Sequence, residues 1–194
     1  AFQWSSFSEI IDDKQTYANS AYLSLRIDSQ QFSSIPSRKY RLRGVKVRIP
    51  GAGANNSGTP TVDNATGRIV YPDGYIFNGV MGAATYCNCP SMVLLDLLTN
   101  TRYGLGSHIT DASLDLFSFV TASKYANTLV DDGLGGQEAR FSCNVLLQSA
   151  DEAFDLINDL SGVMRCMPIW SAGSMTITQD KPTDASYLFN LSNV

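Results

Sequence analysis

The chain has 194 residues, 44% of them hydrophobic and 16% charged, with a formal net charge of −4. That length makes one large domain or two small lobes, and folding buries roughly 70% of the surface of the unfolded chain, enough for a real core. The longest uncharged apolar run, residues 92–95, falls far short of the ~20 residues of a membrane span, no signal-peptide pattern is visible, and the charge is too low for a disordered chain.

In chain order, Ser6 or Ser8 is placed to cap a short helical turn over residues 9–12. Residues 21–28 alternate, with Leu23, Leu25 and Ile27 on one face and Tyr22, Ser24 and Arg26 on the other, which predicts a half-buried strand. Residues 30–37, with Pro36, read as a connection. A second strand is predicted over residues 40–49. Tyr40 and Leu42 share one parity and Val45, Val47 and Ile49 the other, so a bulge or kink is expected at Gly44. Residues 50–60 read as a long exposed loop. Turn signals at 64–67 and 72–74 accompany short strands predicted over 68–71 and 75–77.

After Cys89 the pattern becomes helical. Pro90 suits a first helical position, and Met92, Val93, Leu94, Leu95, Leu97 and Leu98 follow with Asp96 as the single charge. This predicts a short helix, buried on most sides, that stops at Asn100. In the turn that follows, with Gly104 and Gly106, Gly104 is expected at positive φ and Arg102 and Tyr103 are expected to pin the chain. A second helix is predicted over residues 111–129, ended by residues 131–136. Two acids beside three glycines there lack EF-hand spacing and read as a turn. A strand over 140–147, a capping box at Ser149 and Glu152, a helix to Met164 and a hairpin of 168–170 with 174–179 make a β-α-β-β lobe. The expected fold class is α+β: a β-rich lobe at 1–50, a loop and hairpin arm at 51–89, and an α+β lobe at 90–194.

Charge is segregated. Arg38, Lys39, Arg41, Arg43, Lys46 and Arg48 lie together with no acid between them, leaving eight basic residues against all eighteen acidic ones elsewhere. Such a stretch fits a surface that meets an acidic surface, a phosphate backbone or another copy of the chain. It equally fits a solvated strand pair whose long side chains cover apolar neighbours. In the last predicted helix, Asp151, Asp155 and Asp159 form an acidic stripe at i, i+4, i+8.

Catalytic signatures are missing from the sequence. The Cys87-x-Cys89 spacing is too tight for a zinc knuckle, so Cys87, Cys89, Cys143 and Cys166 read as free thiols. His108 is the single histidine, which excludes a multi-histidine metal site and forces any Ser-His-Asp triad through one residue. Asn56 and Ile109 occupy the third position of two incomplete G-x-G-x-x-G patterns. A glycosidase pair would have to use residues such as Asp12 and Asp13, whose adjacency points them apart. No enzyme activity, catalytic residue, cofactor or metal is expected.

Several blocks carry a family resemblance: residues 19–28 (NSAYLSLRID), 35–44 (IPSRKYRLRG), 96–106 (DLLTNTRYGLG), 132–144 (DGLGGQEARFSCN) and the hairpin through 170–182 (WSAGSMTITQDKP). In this order they resemble the tip attachment J family of lambda-like phages, over most of residues 7–194. The match is weakest over 51–90, where the family is aromatic-rich and this chain has Pro72-Asp-Gly-Tyr75 and Cys89-Pro90. The chain opens on Ala1 and is patterned close to both ends, as expected of a segment of a longer protein.

The resemblance implies a structural virion protein of the distal tail tip, assembled in the bacterial host cytoplasm. It implies a homotrimeric central hub that supports host attachment and genome ejection. The source it implies is a phage, a prophage or a gene transfer agent. Implied partners are further copies of itself, other tail-tip proteins and the tape-measure protein, with transient passage of DNA. A closed ring needs unlike patches facing one another, and the basic stretch and the acidic stripe are suitable opposite halves. The alternative is a receptor- or carbohydrate-binding module, for which Trp4, Tyr75 and Trp170 are the candidate exposed aromatics.

Overall fold

The computed structural model describes residues 23–24, 26–28, 30–31, 33–146, 153–171 and 173–183. Two units divide the chain, Ala1–Leu42 and Arg43–Val194. In the first, the described residues form no strand, contrary to the expectation for 21–28. Leu23 is mostly exposed, and alternation builds a strand only where a partner strand and a buried face exist. Asp28 instead closes a turn, its Oδ1 accepting from the Gln30 N–H at 2.9 Å.

The second unit holds eight strands among the described residues, in four antiparallel pairs, with three α-helices. The α+β class is therefore observed. Strand β1 covers Val47–Pro50, shorter than expected because residues 40–46 find no ladder partner. Val47 and Ile49 are buried as their parity requires, while Val45 lies outside the strand and is exposed. Gly44 carries no bulge; the register shifts between Arg48 and Pro50 instead. Residues 51–58 are tied down rather than free, since Gly53 N–H donates to Gly58 O at 2.7 Å and Ala54 N–H to Ile76 O at 2.8 Å.

Strands β2 (Thr61–Val62) and β3 (Ile69–Val70) form a hairpin whose turn includes Gly67 at φ 79°. The strand expected over 75–77 does not form. Its place in the ladder is taken by β4, Met81–Thr85, which pairs with β1. The β4 sequence, MGAAT, has weak strand propensity. What it offers is small size, since a Cβ on Gly51 would meet Val80 O at 2.9 Å and one on Gly82 would meet Gly51 Cα at 3.2 Å.

Helix α1, Pro90–Thr99, begins and ends where expected and is buried at Met92, Leu94, Leu95 and Leu98. Helix α2 covers only Leu116–Ala126. The segment before it breaks into a 3-10 turn at Asp111–Ser113, because Leu114 bridges Met175 and the Asp115 N–H donates to Met175 O at 2.9 Å. Asp115 then caps the helix, accepting from Phe117 N–H. After α2 come β5 (Leu129–Asp131) and β6 (Gln137–Ala139), a hairpin where the sequence reading placed a helix end and a turn.

Residues 142–146 form no strand. Phe141 N–H donates to Ala126 O and Cys143 N–H to Asn88 O, so these amides are satisfied without a sheet. Helix α3, Ala153–Val163, precedes the hairpin of β7 (Cys166–Ser171) and β8 (Ser174–Gln179), turned through Gly173 at φ 82°. The expected β-α-β-β lobe is thus α-β-β among the described residues, and its capping box lies outside them.

The core gathers the buried side of α1, Phe119 of α2, Leu160 of α3 with Met164 just past its end, and Met175 and Ile177 of β8. A polar thread crosses it. The Ile69 N–H donates to Asn127 Oδ1 at 2.8 Å, Asn127 Nδ2 donates to Ser123 O at 2.8 Å, and the Ser123 hydroxyl meets Tyr71 Oη at 2.6 Å. These bonds fix β3 on α2 and satisfy groups that would be costly to bury alone.

Candidate interaction surface

The basic stretch is divided among different local uses. Arg48, on β1, reaches Asp111 with both terminal nitrogens at 2.7 Å, and one of them also donates to Thr99 Oγ1 at 3.1 Å. Thr99 Oγ1 in turn donates to Leu95 O at 2.8 Å. This is the single salt bridge among the described residues. The hydrogen bonds from Arg48 hold the Asp111 carboxyl below the usual carboxylate range, against the desolvation that opposes them. The Arg48 guanidinium is reciprocally raised. An open groove of about 510 Å³ runs past this pair, lined also by Lys46, Asp96, Asn100 and Gly106.

Arg43 donates to Asn64 O at 2.7 Å and lies 5.9 Å from the centre of the Tyr86 ring. Arg41 is exposed and has its own interactions. Arg38, Lys39 and Lys46 are exposed and make no hydrogen bond or ion pair among the described residues. Of the acidic stripe, Asp155 and Asp159 lie exposed on α3, while Asp151 falls outside the described residues. Among the described residues, neither Asp155 nor Asp159 forms a salt bridge with the basic stretch of its own chain.

The turn after α1 is tied down chiefly by Asn100. Asn100 O accepts from Gly104 N–H and Gly106 N–H at 3.1 Å each, and Asn100 Oδ1 accepts from Arg102 N–H at 2.9 Å. The Tyr103 hydroxyl donates to Asp96, and burial together with that carboxylate raises its pKa. Gly104 is not at positive φ, which corrects the expectation. The need for glycine comes from close approach. A Cβ on Gly104 would stand 2.0 Å from Leu97 O, and one on Gly106 would stand 2.2 Å from Thr99 O.

The thiols are free, as expected. Burial pushes Cys87 up to about 12 and raises fully buried Cys89, whose Sγ lies 3.1 Å from Ser123 Oγ. Asp63 and Asp132 have lowered pKa values because Thr66 with Ala65, and Leu134 with Gly136, donate to them within turns. Tyr75 is buried, 4% exposed, with its hydroxyl donating to Gly51 O at 2.9 Å, so it offers no ligand platform. Trp170 is 57% exposed; Trp4, Asp12 and Asp13 lie outside the described residues. No described helix is long and apolar enough to cross a membrane.

Asp111 and Thr99, which engage Arg48, were missed from sequence. They lie 63 and 51 residues from Arg48, and charge complementarity was the only available signal.

No family model matches the chain. The chain is 32% identical over 190 residues, 97% of its length, to the tip attachment protein J of Escherichia phage SECphi27. It is 28% identical over 183 residues, 94% of its length, to the tip attachment protein J of Escherichia phage SECphi4. It spans 15% of the length of each of these relatives. Along nearly all of its length, this chain is related in sequence to a segment of the phage tip attachment proteins J.

Proposed function

We propose that this chain is a structural, non-catalytic segment of a phage tail tip, part of a homotrimeric central hub at the distal end of the tail. In this reading it organises the tip and supports host attachment and passage of the genome. Its neighbours are other copies of the chain, further tail-tip proteins and the tape-measure protein. Virion assembly takes place in the bacterial cytoplasm. The observation that carries the reading is the likeness to tip attachment protein J along 97% of the chain.

Physical features support it. The carboxylates with lowered pKa are engaged by the chain's own donors in turns and in the Arg48 pair, the pattern of a scaffold. Arg38, Lys39 and Lys46 remain exposed and uncompensated within the described residues, suited to a neighbouring acidic surface.

Multi-angle light scattering of the full chain tests the reading, with a threefold mass as the expected result. Arg38→Glu with Lys39→Glu is expected to shift that species towards monomer while leaving the circular dichroism spectrum unchanged. These positions are preferable to Arg41 and Arg43, which already have interactions of their own. Normal trimers from the double variant would remove the basic stretch from the interface.

A further inference from the structure

The β5–β6 hairpin is built to be rigid yet has little to rest on. Its root is fixed to α2, with Arg140 N–H donating to Thr128 O and Phe141 N–H to Ala126 O. Beyond the root its two strands pair with each other alone among the described residues. A two-stranded ribbon by itself is marginal in water. This one is nonetheless preorganised at its tip: Gly133 and Gly135 sit at φ 75° and 91°, and Asp132 Oδ1 accepts from Leu134 N–H at 2.8 Å and Gly136 N–H at 2.9 Å. What the tip presents is Leu134, 92% exposed, with Leu129 partly exposed nearer the root. The flanking side chains Asp131, Asp132 and Glu138 are all acidic, and no basic residue lies between 129 and 139. An ordered acidic ribbon with an apolar point matches a basic partner that has apolar residues between its charges.

The chain itself contains such a surface. Over residues 38–42 the charges Arg38, Lys39 and Arg41 interleave with Tyr40 and Leu42, which are 53% and 79% exposed. The described backbone there is irregular, with its strand beginning only at Val47. We infer that the β5–β6 hairpin of one copy docks on residues 38–42 of a second copy, Leu134 resting on Tyr40 and Leu42 while Asp131, on the Leu129 face of the ribbon, faces Arg38 and Lys39. The contact is heterologous, hairpin to basic segment, and so is of the kind that closes a ring. It rests on the reading that copies of this chain associate, and it names the acidic half of that contact as the hairpin rather than the α3 stripe.

A photo-crosslinking amino acid at Leu134, in a mixture of isotopically heavy and light full chains, tests the docking. Crosslinks from position 134 to a peptide within residues 33–46 of the other isotopic form are expected. Crosslinks confined to one chain, to another surface, or none at all while the chains still associate would overturn the inference and leave the hairpin for a different protein. As a second arm, Asp131→Lys is expected to weaken association about tenfold, with recovery when Arg38→Glu and Lys39→Glu are added. Association unchanged by Asp131→Lys overturns the docking alone. Parent chains that stay monomeric at all concentrations overturn the assembly reading as well. Asp132 is left intact because it holds the tip.

Discussion

At the level of single residues, the protein fixes geometry by close approach and by pairing. Gly104 shows the first. With Leu97 O only 2.0 Å from where its Cβ would be, any side chain must push the turn away from α1. Gly104→Val is therefore expected to cost about 2–3 kcal/mol, read as a lower midpoint in urea unfolding; an unchanged midpoint would show that the turn relaxes freely. Arg48 and Asp111 show the second. The Asp111 carboxyl is depressed in the fold, so its contribution is present above the unfolded pKa, near 3.8, and is lost as pH falls through the folded value. The pair is partly open to water, so Asp111→Asn is expected to cost only about 0.5–1 kcal/mol near neutrality. The gap between variant and parent in thermal melts should narrow as pH falls below the unfolded value, near 3.8. A gap that widens on acidification would contradict this account.

Among the elements, α1 is the centre of the packing. It meets β1, α2 and α3, and its Met92, Leu94, Leu95 and Leu98 are at most 1% exposed. Leu98→Ala leaves a cavity bounded by several elements at once, and about 3 kcal/mol of destabilisation is expected in denaturant unfolding. A loss below about 1 kcal/mol would mean that the surrounding elements collapse onto the gap. The elements also show where local pattern has authority. Pro90 and the apolar run behind it specified α1 because both signals are contained in the helix. In contrast, the apolar spacing through 111–129 predicted one helix, but the Leu114 bridge to Met175 broke it, a contact 61 residues away in sequence. Strand β4 was invisible because its merit is smallness against Gly51, which no periodicity records.

For the whole molecule, charge segregation is the feature that survives from sequence to structure, although its members separate in use. Arg48 serves the fold, Arg43 binds Asn64 O, and Arg38, Lys39 and Lys46 stay exposed. Association through such groups must weaken as salt rises, because exposed charges are screened within about 10 Å at 0.1 M. The sequence by itself determined the α+β class, helix α1, the β7–β8 hairpin, the glycine-dependent turn and the family likeness. Each of these is encoded in neighbouring residues or in their order along the chain. Only the tertiary structure decided which charges are internally satisfied, that Tyr75 is buried, that the predicted 21–28 and 140–147 strands do not form in their described parts, and that 129–139 is a hairpin. Those outcomes depend on partners tens of residues distant. A carbonyl, a carboxylate or a strand edge brought near by folding outweighs a local preference of a few tenths of a kcal/mol.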